Sequence, residues 1–156
     1  MNDVDGNTED REIVIARVFN APRDIVFNAF TDRDDVDHWY GPDGFTTTTI
    51  DMDVRPGGEW NYLMRHEKYG EFRNRIRYRQ VVRPERLQYT HDSGVDGDPS
   101  AFEVTVLFEM QGKKTKVTMR SVFRTVAEME KVKGYGAIEG GIQTLERLAN
   151  WLVDRT

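Results

Sequence analysis

The chain has 156 residues, and its 22 Lys and Arg against 27 Asp and Glu give a formal net charge of −5. That length buries a hydrophobic core without disulfide or metal staples, and the absence of cysteine excludes thiolate catalysis, Cys-ligated zinc and iron–sulfur clusters. The acidic balance argues against nucleic acid as a partner, no apolar run approaches the roughly 20 residues of a membrane span, and no signal-peptide pattern opens the chain, so a cytoplasmic protein is expected.

Residues 1–11 carry Asp3, Asp5, Glu9 and Asp10 with little apolar content, which predicts a disordered acidic tail ahead of one domain over 12–156. The β-branched run from Glu12 to Phe19 predicts a strand, and Pro22 is placed to open a helix. Ile25, Val26, Phe27, Ala29 and Phe30 give that helix an apolar side; Thr31-Asp32 ends it and caps a second short helix through Val36. Glycine and proline in the stretch from His38 to Phe45 rule out regular structure there, and Tyr40 to Gly44 with the glycine-rich start of the last helix are expected to form the movable rim of a pocket.

From Phe45 onward the period changes to two. Strands are predicted over Thr46 to Val54, Glu59 to His66, Glu71 to Val82, Arg86 to Thr90, Phe102 to Met110 and Lys116 to Arg124, with turn residues between them. The first of two long alternations sets Trp60, Tyr62, Met64 and His66 on one side. The second sets Phe72, Asn74, Ile76, Tyr78 and Gln80 on one face and Arg73, Arg75, Arg77 and Arg79 on the other. His91 falls in a polar loop running to Ser100 and is expected to be exposed. Thr125-Val126-Ala127-Glu128 has the form of a capping box, and Ile138, Ile142, Leu145, Ala149 and Leu152 make one stripe of a long helix. Gly134, Gly136, Gly140 and Gly141 suggest a break near Gly134 to Gly136 or very close packing on the sheet. The order predicts an α+β fold: a curved antiparallel sheet of six or seven strands wrapped around a long C-terminal helix, with two short helices after the first strand.

Five stretches in this order carry a family resemblance: Phe19 to Asp32, Trp39-Tyr40-Gly41-Pro42-Asp43-Gly44-Phe45, Arg55-Pro56-Gly57-Gly58-Glu59-Trp60, Pro84-Glu85-Arg86-Leu87, and Gly141 to Leu148. Together they resemble the START-like or Bet v 1-like (SRPBCC) superfamily, in the branch similar to the C-terminal domain of the activator of Hsp90 ATPase. The resemblance covers Glu12 to Val153. It implies a helix-grip fold with a cavity between sheet and terminal helix, used to bind hydrophobic ligands, to cyclise polyketides or to contact a chaperone.

Each histidine stands without a catalytic partner in the sequence. His66 ends the aromatic face of its strand, and His38 follows Asp34, Asp35 and Asp37, a run that the dipole of a short helix accounts for. The acids of the loop after His91 mimic a calcium loop only in part, since Gly94 and Pro99 fall at ligand or following positions and strands flank it. The dinucleotide fingerprint, the P-loop, H-E-x-x-H and G-x-S-x-G are absent, so no catalytic residue, metal or cofactor is assigned. The arginine stripe reads as a solvent face with weak cross-strand pairs.

The aromatic face is the expected site, because polar residues are interleaved with its rings. Trp39, Trp60, Tyr62, Met64, His66, Phe72, Asn74, Tyr78, Phe102 and Met119 are the expected ligand-binding residues, with Gln80 and Ser121 as further polar positions. The leading expectation is therefore binding of a small apolar ligand. The alternatives implied by the resemblance are a chaperone interaction module tied to stress response, and a cyclase or dehydratase using His66 with Tyr78. An exposed sheet edge or helix leaves room for a homodimer.

Overall fold

The computed structural model describes residues 7–155. Among them, β1 (Glu12–Phe19), β2 (Phe45–Met52), β3 (Glu59–His66), β4 (Gly70–Val82), β5 (Arg86–Asp92), β6 (Phe102–Gln111) and β7 (Lys114–Val122) form one sheet in the order β1-β7-β6-β5-β4-β3-β2. Every neighbouring pair is antiparallel. The consecutive strands β1 and β2 lie at opposite edges, and α1 (Arg23–Thr31) and α2 (Arg33–Trp39) carry the chain between them. After β7, α3 (Val126–Gly134) and the long α4 (Ala137–Leu152) close the concave side. This is the α+β, helix-grip arrangement expected from the element order.

Local chemistry sets the boundaries. The Asp32 carboxylate accepts from the backbone N–H groups of Asp34 and Asp35 at 2.8 and 3.4 Å and so opens α2. Thr125 Oγ1 accepts from the Glu128 N–H at 3.0 Å and opens α3. Gly136 has φ +87°, a conformation only glycine adopts at little cost, and it divides α3 from α4 as the glycine spacing predicts.

The core lies between the sheet and the helices. Phe27, Phe30 and Phe108 meet edge to face at 5.0 and 5.1 Å between centroids, joined by Val106, Val117, Leu145, Leu148 and Leu152. Fully burying such a side chain contributes about 1.5–3 kcal/mol, so these contacts dominate the favourable side of folding.

Three details depart from the sequence reading. Residues 1–6 of the expected tail lie outside the described residues, but Glu9–Arg11 form a 3-10 turn with Thr8 buried before it. Thr8 is bonded to Glu12 and Arg120, and Arg11 donates to the Phe123 carbonyl, so side-chain polar bonds rather than apolar burial hold this turn. In β4 a bulge between Tyr78 and Gln80 shifts the alternation by one. Val81 then packs on the core, while Gln80 is exposed and accepts from Arg86 Nε at 3.0 Å. In α4 the buried face is Leu145, Leu148 and Leu152, and Ile142 is 54% exposed. The helix turns Gly141 onto β1, where a Cβ would stand 2.3 Å from Ile15 Cδ1, so the apolar stripe read from Ile142 is rotated outward.

Candidate functional site

A hollow of about 480 Å³ lies between the concave face of the sheet and α4. Large side chains on one wall face small ones on the other. The sheet presents Tyr62 and Met64 of β3, Tyr89 and His91 of β5, Phe102 and Val104 of β6, and Met119 and Ser121 of β7. The helical wall is Gly136, Ala137, Gly140, Gly141 and Thr144. Gly140 and Gly141 lie inside α4, where glycine costs about 1 kcal/mol each, and present no side chain to the hollow; Gly141 also admits Ile15, whose Cδ1 would stand 2.3 Å from a Cβ there.

Trp39, Tyr40, Gly41, Pro42 and Phe45 form a third side. Trp39 is fully buried, and its indole N–H donates to the Ala29 carbonyl at 3.0 Å. The segment after it is tied down rather than free to swing. Arg147 Nη1 donates to the carbonyls of Gly41, Pro42 and Phe45 at 2.8, 3.1 and 3.1 Å. Gln143 Oε1 accepts from the Asp43 N–H at 3.1 Å. Two of the stretches that carried the family resemblance therefore meet across the rim and are joined by these bonds.

The polar end of the hollow is a cluster of hydroxyls around one imidazole. Tyr62 Oη shares a 3.0 Å hydrogen bond with His91 Nε2, and the Tyr40 hydroxyl interacts with those of Tyr62 and Tyr89. The His91 ring also lies 4.8 Å from that of Phe102. Burial pulls the His91 imidazole down to about 4, against the opposing pull of Asp92 and Asp98, so it is neutral at physiological pH. Burial likewise pushes the Tyr40, Tyr62 and Tyr89 phenols upward, which keeps them protonated. The cluster can donate and accept hydrogen bonds without carrying charge.

His91, expected in an exposed loop, lies instead on the inner face of the sheet. It belongs to β5, which runs to Asp92, and its side chain follows Leu87 and Tyr89 onto the inner face. Extending that alternation by one step locates it.

Of the expected site residues, Trp39, Tyr62, Met64, Asn74, Phe102 and Met119 line the hollow, and Ser121 joins them. Trp60, Tyr78, His66 and Phe72 do not. Trp60 is buried behind Tyr40 and Tyr62, and its indole N–H donates to Thr49 Oγ1 at 3.0 Å. Thr49 in turn donates to Asp37 at 2.6 Å, a relay that pins α2 to the sheet and engages one acid of the run beside His38. Tyr78 is buried in the core against Tyr89. His66 Nδ1 accepts from the N–H groups of Lys68 and Tyr69 at 2.9 and 3.2 Å, so the ring caps the β3–β4 turn. Phe72 is 47% exposed. His66 pairs with Gly70 at one end of β4, and Tyr78 lies further along that strand, so the two do not form an acid–base pair.

The charged features resolve into structure. Asp92 accepts both Nε and Nη2 of Arg75, at 2.9 and 3.0 Å, with side-chain exposures of 4% and 11%. Arg75 and Arg77 also reach Asp96, and Arg79 reaches Glu103. Burial raises the Asp92 carboxyl, but Arg75 and the Gly94 N–H outweigh it and hold it below the usual range. Arg75 with Asp92 is thus a buried pair rather than one of the weak ones expected, while Arg77 and Arg79 remain exposed in theirs. A second depression of about 440 Å³ beside them balances Arg77, Arg79 and Arg124 against Asp92, Asp98 and Glu103. His38 stacks on Trp151 with centroids 4.3 Å apart. Among the described residues no group of His, Asp and Glu is arranged to hold a metal ion, and no helix is long and apolar enough to cross a membrane.

The fold recurs in solved structures at low sequence identity. A protein from Arthrobacter aurescens superposes with a TM-score of 0.87 at 20% identity, covering 95% of this chain and 89% of that one. One from Mycobacterium smegmatis gives 0.86 at 18% identity over 96% of each chain. A Staphylococcus epidermidis protein gives 0.81 at 25% identity, covering 94% and 92%. No curated protein matches the sequence. The sequence pattern of the family described as activator of Hsp90 ATPase homolog 1-like protein matches residues 20–152, which takes in both rim segments and most of the sheet, and the chain belongs to that family.

Proposed function

We propose that this protein binds a small, largely apolar ligand in the hollow between the sheet and α4. The observation that carries this reading is the wall composition: aromatic and aliphatic side chains surround about 480 Å³, with a few convergent polar groups at His91, Tyr62, Asn74 and Ser121. A packed core leaves no such space, because interiors approach the density of organic crystals. Contact with a chaperone has the family description for support and no feature of this site. The cyclase reading loses the His66 and Tyr78 pair on which it rested.

The test is a titration with N-phenyl-1-naphthylamine, a neutral apolar fluorophore. Saturable one-to-one binding with blue-shifted emission is expected. Emission that rises linearly without saturation contradicts the reading.

A further inference from the structure

We infer that the cavity selects neutral ligands and rejects carboxylates and amines of the same apolar shape, the Tyr62–His91 pair receiving the ligand's hydroxyl or carbonyl oxygen. The inference rests on the reading of the hollow as a ligand site and adds the chemical class of its occupant.

The lining carries the argument. Among the described residues around the hollow there is no Lys, Arg, Asp or Glu. An ion moved into such a place loses its hydration and meets no counter-charge, which is the costliest burial a ligand can make. Two cations close to the rim are engaged elsewhere. Arg147 gives Nη1 to three backbone carbonyls, and Arg17 pairs with Glu146. The start of α4 borders the hollow at Gly136 and Ala137, and a helix N-terminus alone would favour an anion. Here Glu139 occupies the first turn, with Oε1 3.8 Å from the place a Gly136 Cβ would take, so negative charge is already present there.

What the wall offers instead is neutral polarity. Tyr62 and Tyr89 are buried, Tyr40 interacts with both, and Tyr62 is bonded to His91. Phenols donate and accept, and a neutral imidazole does the same through its two nitrogens. A ligand hydroxyl or carbonyl oxygen inserted among them satisfies its own hydrogen bonds and theirs. A carboxylate would face acceptors and donors in nearly equal number and keep its charge unbalanced.

Three ten-carbon probes separate the possibilities: 1-decanol, decanoate and decylammonium, titrated calorimetrically into the full chain at pH 7.5. The dissociation constant of decanol is expected to be lower than those of both ions by roughly a hundredfold. Decanoate or decylammonium binding as tightly as decanol overturns the inference and leaves the cavity's role as a ligand site standing. Failure of all three to bind, together with failure of the naphthylamine probe, overturns both.

Discussion

His91 enters folding as a neutral group and makes stability depend on pH. Its value in the unfolded chain is near 6.5, and in the folded chain about 4. Above pH 6.5 both states hold it uncharged, and its burial costs nothing in protonation. As pH falls from 6.5 toward 4 the unfolded chain takes the proton first, so stability declines by about 2–3 kcal/mol between pH 7.5 and 4.5. Urea denaturation at those two values measures the loss, and His91→Gln is expected to remove most of it. An unchanged pH slope in the variant would contradict a neutral imidazole held in the folded chain. Asp92 makes the opposite kind of contribution, as a charge that must stay paired. With Arg75 only 11% exposed, Asp92→Asn leaves the guanidinium with the exposed Asp96 carboxylate alone and is expected to cost about 2 kcal/mol of stability by chemical denaturation. A loss below about 1 kcal/mol would place the pair among ordinary surface ion pairs.

The secondary elements were legible to different depths. The strict alternation of β6 from Phe102 and the Thr125 cap of α3 were plain in the sequence, because each depends on side chains within a few residues. The polar run His91-Asp92-Ser93 points to a strand end at Thr90, yet the last two residues of β5 pair with Arg75 and Ile76 of β4. The β4 bulge and the rotation of α4 were hidden for a related reason. Both are set by pairing that a single element does not show: the register against the next strand, β5, in one case, and the close approach of Gly141 to the distant Ile15 in the other. Gly140 offers a test at this scale. A Cβ there would meet Pro42 at 3.6 Å, an ordinary contact, so Gly140→Ala is expected to raise stability by about 0.5–1 kcal/mol through helix propensity. A thermal or urea transition that moves the other way would mean that the helix needs the glycine for more than space.

At the scale of the whole molecule, the sheet order and the single grip helix follow from an element sequence that the chain states openly. Which aromatic rings would face space and which would fill core was not legible. Trp60 and Tyr62 lie two residues apart on one face and stack at 4.1 Å, but only Tyr62 borders the hollow. The difference arises from the curvature of the sheet and from Tyr40, which covers Trp60 from α2's end. If the remaining space holds a ligand, filling that space with protein abolishes binding. Ser121→Trp places an indole from β7 into the hollow. The naphthylamine titration, run beside the wild type on a variant that shows a cooperative unfolding transition, is expected to give at least a tenfold weaker affinity, about 1.4 kcal/mol. Undiminished binding in the folded variant would contradict the claim and place the ligand elsewhere.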